Sequence, residues 1–241
     1  MPYPLTYLQF HAVFILPVLV GLVLAARYRL ASRRVVLTGT LVLAGLAAVY
    51  TTPWDRYLIL RGAWWYGEGR VALRVADIPL GEFLFFVLQP VVVGLWVGRF
   101  PVDTSRPLAL PVRTRLVGLG VAALVGLAGV ALLGRPGGLY LGLLLAWGAP
   151  ILAIQWAFGW PFLVAHWRTV AVGTLVPMAY LWVVDTIALA LGIWVISKEH
   201  TLGLDVPLLG LPIEEATFFL LTSLFVVQGV VLYAWVVDRW Q

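Results

Sequence analysis

Seven stretches of about 20 mainly apolar residues, each the length needed to cross a bilayer as a helix, follow one another along this 241-residue chain. That spacing leaves few alternatives, because a spanning segment must satisfy every backbone polar group within itself. The spans are expected at Tyr7–Ala26, Val35–Tyr50 with a kinked extension past Pro53 to Tyr66, Pro79–Val97, Leu116–Leu133, Leu139–Phe158, Thr169–Ile196 and Pro212–Val237. Only 11% of residues are charged, against about 25% in a soluble domain. Lipid is therefore the expected solvent. The net charge of +5 gathers in short arginine clusters between spans, which fits headgroups and topology rather than nucleic acid.

The same sequence excludes several chemistries. Without cysteine there is no thiol nucleophile, disulfide or cysteine-ligated metal. The single lysine, Lys198, lies outside the last span, so a retinal Schiff base there is excluded. His11, His166 and His200 lack ligand spacing, and no metal site is expected. Gly118-Leu119-Gly120-Val121-Ala122-Ala123 imitates a dinucleotide fingerprint but sits inside an apolar helix with no preceding strand, so it reads as helix packing.

An internal repeat organises the chain. Pro79-Leu80-Gly81-Glu82-Phe83-Leu84-Phe85-Phe86 returns in the second half as Pro212-Ile213-Glu214-Glu215-Ala216-Thr217-Phe218-Phe219. Upstream of that motif, Asp55 and Trp64 return, at one common spacing, as Asp185 and Trp194. Three spans, a linker span and three spans again place four crossings between equivalent points. Both repeats then enter the membrane from the same side, related by an axis along its normal. Expected boundaries are 1–100 for the first repeat, 101–137 for the linker with the fourth span, and 138–241 for the second repeat. Ten of the sixteen basic residues, Arg106 and Arg239 among them, fall on the C-terminal side. That bias predicts a multi-pass protein of the cell membrane with its N-terminus outside and its C-terminus cytoplasmic.

Asp185 is the residue hardest to reconcile with a purely structural role. Its span holds no other ionisable side chain from Val170 to Ile196, and a mid-membrane aspartate costs about 2.5–3.5 kcal/mol on insertion scales. It should face a protein-lined cavity or bond a neighbouring backbone. Asp55 repeats it, although Arg56 and Arg61 offer it an interfacial ion pair. Glu82 and Glu215 each follow a proline that opens a helix, a position that also suits simple N-terminal capping. Helical spacing sets Phe85, Phe86 and Gln89 on the face of Glu82, and Phe218 and Phe219 on that of Glu215. The helix terminus favours an ionised carboxylate and an aromatic surrounding a neutral acid; the sequence leaves the balance open. A proton donor beside ring faces suits carbocation chemistry, since rings stabilise a cation without trapping it. Trp64, Trp65 and Trp194 follow the repeated aspartates and could line the same site. A proton-coupled small-solute transporter of parallel repeats is the alternative that these carboxyls leave open.

Thr52-Pro53-Trp54-Asp55-Arg56-Tyr57, Arg61-Gly62-Ala63-Trp64-Trp65-Tyr66-Gly67, Ile78 to Pro90 and Leu211 to Phe219 together resemble the lycopene cyclase domain of carotenoid biosynthesis. The resemblance covers nearly the whole chain, with two domains fused in tandem. It implies an acid-initiated, redox-neutral cyclisation of the ψ-ends of a lipophilic carotenoid such as lycopene to β-ionone rings. It also implies Glu82 and Glu215 as acid/base residues, with Glu214, Asp55 and Asp185 in support and the ring-bearing residues as cation-stabilising walls. No cofactor is predicted; the chemistry does not demand a reduced flavin or NAD(P)H, and the question stays open. One departure from the family pattern is Gly81, where the second repeat has Glu214. If the first acid of the pair is the donor, Glu214–Glu215 is the better equipped pair and the first repeat chiefly a scaffold. Membrane lipid is the expected surrounding, and the sequence says nothing of oligomeric state.

Overall fold

A computed structural model of the chain describes residues 5–105 and 110–238; Arg106 and Arg239 lie outside them. The described residues contain seven helices long and apolar enough to cross a membrane. They are α1 (Tyr7–Leu24), α2 (Arg33–Leu60), α3 (Leu80–Val97), α4 (Val112–Leu133), α5 (Leu139–Ala165), α6 (Trp167–Ala190) and α7 (Ile213–Val237). This is an all-α polytopic membrane protein. Six short strands, β1 (Trp64–Tyr66), β2 (Arg74–Val75), β3 (Ile78–Pro79), β4 (Trp194–Ile196), β5 (Asp205–Val206) and β6 (Leu211–Pro212), join α2 to α3 and α6 to α7.

Two spans end sooner than hydropathy suggests. Beyond Leu60, Gly62 takes a left-handed backbone (φ 72°). The Ala63 amide bonds back to the Leu58 carbonyl and the Gly62 amide to that of Ile59. This crossed pair is the usual glycine stop of a helix. Gly192 (φ 62°), with Ile193 to Ala188 and Gly192 to Leu189, repeats it at the equivalent place in the second half. The residues expected as helical extensions to Tyr66 and Ile196 are therefore strand. Pro53, by contrast, lies within an unbroken α2.

The contacts among helices run in parallel in the two halves. Helix α3 packs on α1 and α2 as α7 packs on α5 and α6, α2 crosses to α7 as α6 crosses to α3, and α3 meets α7 directly. Two pairs of equivalent residues touch each other. Trp65 faces Val195 across the antiparallel β1–β4 ladder, and the Phe85 and Phe218 rings lie 6.3 Å apart. Both contacts join the two halves, one through the β1–β4 ladder and one between α3 and α7. The fourth helix lies along α5, where Gly118 and Gly129 back onto the Trp156 carbonyl and the Ala146 amide so closely that a Cβ would reach 2.6–2.7 Å. The glycine-rich run is thus a helix contact.

Candidate active site

One cavity opens between the two halves, with about 630 Å³ of atom-free space when its open mouth is included. Its lining brings together Asp55, Glu82, Asp185 and Glu215 with Tyr7, His11, Trp54, Trp64, Phe85, Tyr140, Trp194, Phe218 and Phe219. Neither arginine nor lysine lines it among the described residues.

Each carboxyl is delivered by the start or end of a helix. Glu82 and Glu215 stand in the first turns of α3 and α7, just past the β2–β3 and β5–β6 hairpins. Asp55 and Asp185 lie in the closing turns of α2 and α6. Asp55 and Asp185 are 3% and 2% exposed. Asp55 makes no interfacial ion pair: Arg56 turns outward to Asp77 at 2.7 Å instead.

The hydrogen bonds follow the repeat and then depart from it. Tyr140 donates its hydroxyl to Glu215 at 2.8 Å, and Tyr7, at the corresponding position of the first half, lines the cavity with Glu82. Glu82 accepts from the Tyr66 hydroxyl at 2.5 Å, which itself accepts from the Trp64 indole at 3.1 Å. Burial first, and then the Glu82 charge, push the Tyr66 phenol well above its ordinary range, so it keeps its proton and remains a donor. At the spacing that relates Asp55 to Asp185, the second half has Ile196 where the first has Tyr66. There the Trp194 indole turns to Asp185 at 3.1 Å. One oxygen each of Asp55 and Asp185 is buried without a partner.

Not every expected site residue reaches the cavity. Trp65 lies on the outer side of β1 and is 49% exposed, because strand residues alternate faces; Trp64 faces inward. Phe86 is buried beside Phe83, one helical position past the lining residue Phe85. Gln89 lines a smaller apolar hollow with Tyr180, which adjoins the main cavity at the shared lining residues Ile15 and Leu181. Glu214 is fully buried but lies outside the lining, accepting from the Leu202 amide at 2.8 Å. The first repeat has glycine there for a local reason: a Cβ at Gly81 would run into the Tyr7 ring.

Sequence reasoning missed Tyr7, Tyr140, Tyr66, Trp54 and His11. Tyr7 and Tyr140 keep the same spacing from each other as the two glutamates do. Trp54, stacked on Phe218 with planes 4° apart and centroids at 6.1 Å, has Val184 as its equivalent and leaves no such trace.

Comparison with known proteins decides the family. The chain is 43% identical over 236 residues to a lycopene beta-cyclase of Halobacterium salinarum, an alignment covering 98% of this chain and 99% of the relative. It belongs to the lycopene cyclase family. It is also 37% identical over 233 residues to the bifunctional lycopene cyclase/phytoene synthase of Gibberella fujikuroi, covering 93% of this chain and 39% of that longer one. A protein of the same description from Aspergillus niger is 35% identical over 202 residues, covering 79% of this chain and 34% of its own length. No family model and no solved structure matches. As a member of the lycopene cyclase family, the chain carries its carboxyls among aromatic rings in one cavity, and nothing found supports a transporter.

Proposed function

We propose that this chain is a lycopene β-cyclase, closing ψ-ends of lycopene to β-ionone rings in carotenoid biosynthesis. The observation that carries the reading is one cavity where four carboxyls face aromatic rings with neither arginine nor lysine in the lining among the described residues. Full-length similarity to a lycopene beta-cyclase supports the same conclusion.

The reaction needs one carboxyl as a neutral acid. It protonates the terminal C1=C2 bond at C2, leaving a tertiary cation at C1. The C5=C6 bond attacks it, forming C1–C6 and moving the cation to C5, and loss of the C6 proton gives the β-ring. Nothing is oxidised or reduced. Glu215 and Glu82 are the proposed acid/base residues, each oriented by a tyrosine hydroxyl, with Asp55 and Asp185 in electrostatic support and Glu214 holding the Leu202 turn. Phe85, Phe218, Phe219, Trp54, Trp64 and Trp194 form the walls, each ring face offering a cation about 0.5–2 kcal/mol. The polyene tail is placed toward Gln89 and Tyr180, whose apolar hollow adjoins the cavity at Ile15 and Leu181.

The proposed repeats are 1–100 and 138–241, with 101–137 as linker. The arginine bias supports a cell-membrane protein with its N-terminus outside. That orientation sets the mouths of α3 and α7, and hence the carboxyls, toward the outer face. A bacterial host that accumulates lycopene should turn from red to orange or yellow on expressing the chain, with cyclised carotenoid in its extract. Glu215→Gln should insert in the membrane and leave the cells red. An unchanged lycopene pool with the intact chain would refute the proposal.

A further inference from the structure

The chemistry requires a base as well as an acid, and the identity of the atom that loses its proton decides the ring. From the C5 cation, loss from C6 gives a β-ring, and loss from C4 or the methyl group gives its isomers. A proton acceptor fixed on one side of the cavity therefore sets the product.

His11 has that character. It lines the cavity, is 3% exposed, and lies between the Tyr7 ring, 4.7 Å away, and the Phe85 ring, 6.3 Å away. Its Nδ1 stands 2.9 Å from the Tyr7 carbonyl. A carbonyl oxygen only accepts, so Nδ1 carries the proton and the neutral imidazole keeps its lone pair on Nε2. Nε2 is buried and has no partner. The backbone there is unusual as well: His11–Ile15 is a π-helical turn inside α1, a feature that recurs at functional sites. The other unpartnered lining atoms belong to Asp55 and Asp185, carboxyls able to carry a proton for donation, whereas Nε2 of this tautomer can only accept one. The equivalent position in the second repeat is Leu144, so the two halves supply a single such base.

We propose that His11 is the base of the cyclisation and thereby determines that the ring is β. This rests on the lycopene cyclase reading above. Nε2 takes the proton from C6, the C6–H electron pair becomes the C5=C6 bond, and the cation at C5 is neutralised. The imidazolium returns its proton to the carboxylate left by the donor, and the site is reset without any redox partner.

The test uses the whole chain, purified in detergent and supplied with lycopene, with products separated by chromatography. His11→Asn keeps an amide donor for the Tyr7 carbonyl but has no base. It should still retain lycopene on the purified protein and lose β-ring formation by about 10²–10⁴-fold, the usual contribution of a positioned base. Residual turnover should give rings with the double bond displaced, or rings hydroxylated by water. β-Rings formed at near the wild-type rate would overturn the assignment. So would a variant that no longer retains lycopene, for His11 would then be a packing residue. If the unsubstituted chain cyclises nothing, the failure lies in the functional reading itself.

Discussion

Replacing Tyr140 with phenylalanine removes one hydroxyl and leaves the ring in place. In the intact protein that hydroxyl donates to Glu215 at 2.8 Å, with both residues buried. A hydrogen bond to a charged group contributes about 1.5–3 kcal/mol net. If the bond is needed to hold Glu215 in its reacting position, its loss appears in the barrier. At about 1.4 kcal/mol per tenfold, the rate should fall by about 10–150-fold. Tyr7→Phe removes the corresponding hydroxyl in the first half, where Tyr66 donates to Glu82 at 2.5 Å, so its loss should be distinctly smaller. Initial rates of ring formation from lycopene in liposomes, compared at equal amounts of monodisperse protein, measure both. An unchanged rate in Tyr140→Phe, or equal losses in the two variants, would show that the hydroxyls do not position the glutamates as argued.

The two adjacent glutamates should separate cleanly. Glu214→Gln keeps an acceptor for the Leu202 amide and should retain most activity in the coloured-cell assay, whereas Glu215→Gln should lose it. Gly81→Ala forces a methyl group against the Tyr7 ring and should lower the thermal midpoint, at an overpacking cost of about 1–3 kcal/mol; an unshifted midpoint would show that the ring moves freely. On β1, Trp65→Leu should leave the product yield unchanged, and Trp64→Leu should reduce it by removing both a wall and the donor to Tyr66; similar yields from the two would contradict the inward face assigned to Trp64.

The spans and the repeat were legible because both depend on patterns that lipid enforces: long apolar runs and charge at their ends. Asp55, Asp185, Glu82 and Glu215 stood out for the same reason, as ionisable groups where few are tolerated. Cavity residues that do not violate hydropathy leave a weaker signal. Tyrosine and tryptophan are ordinary at membrane interfaces, so Tyr7, Tyr140 and Trp54 do not stand out in the sequence, although two of them share the spacing of the glutamates. Hydropathy does not separate Trp64 from Trp65; the glycine stop at Gly62 makes the segment a strand, in which adjacent rings point opposite ways. Glu214 shows the converse. Its resemblance-based promise came from sitting beside Glu215, but the start of α7 turns it to the Leu202 amide.

That four carboxyls share one chamber governs how a molecule with two reactive ends is processed. After the first closure the hydrocarbon must withdraw, reverse its direction in the bilayer and come back with its uncyclised terminus leading. The half-finished compound is then a free species, competing with fresh starting material for the same doorway. Its abundance should rise when starting material is plentiful and fall as the supply is exhausted.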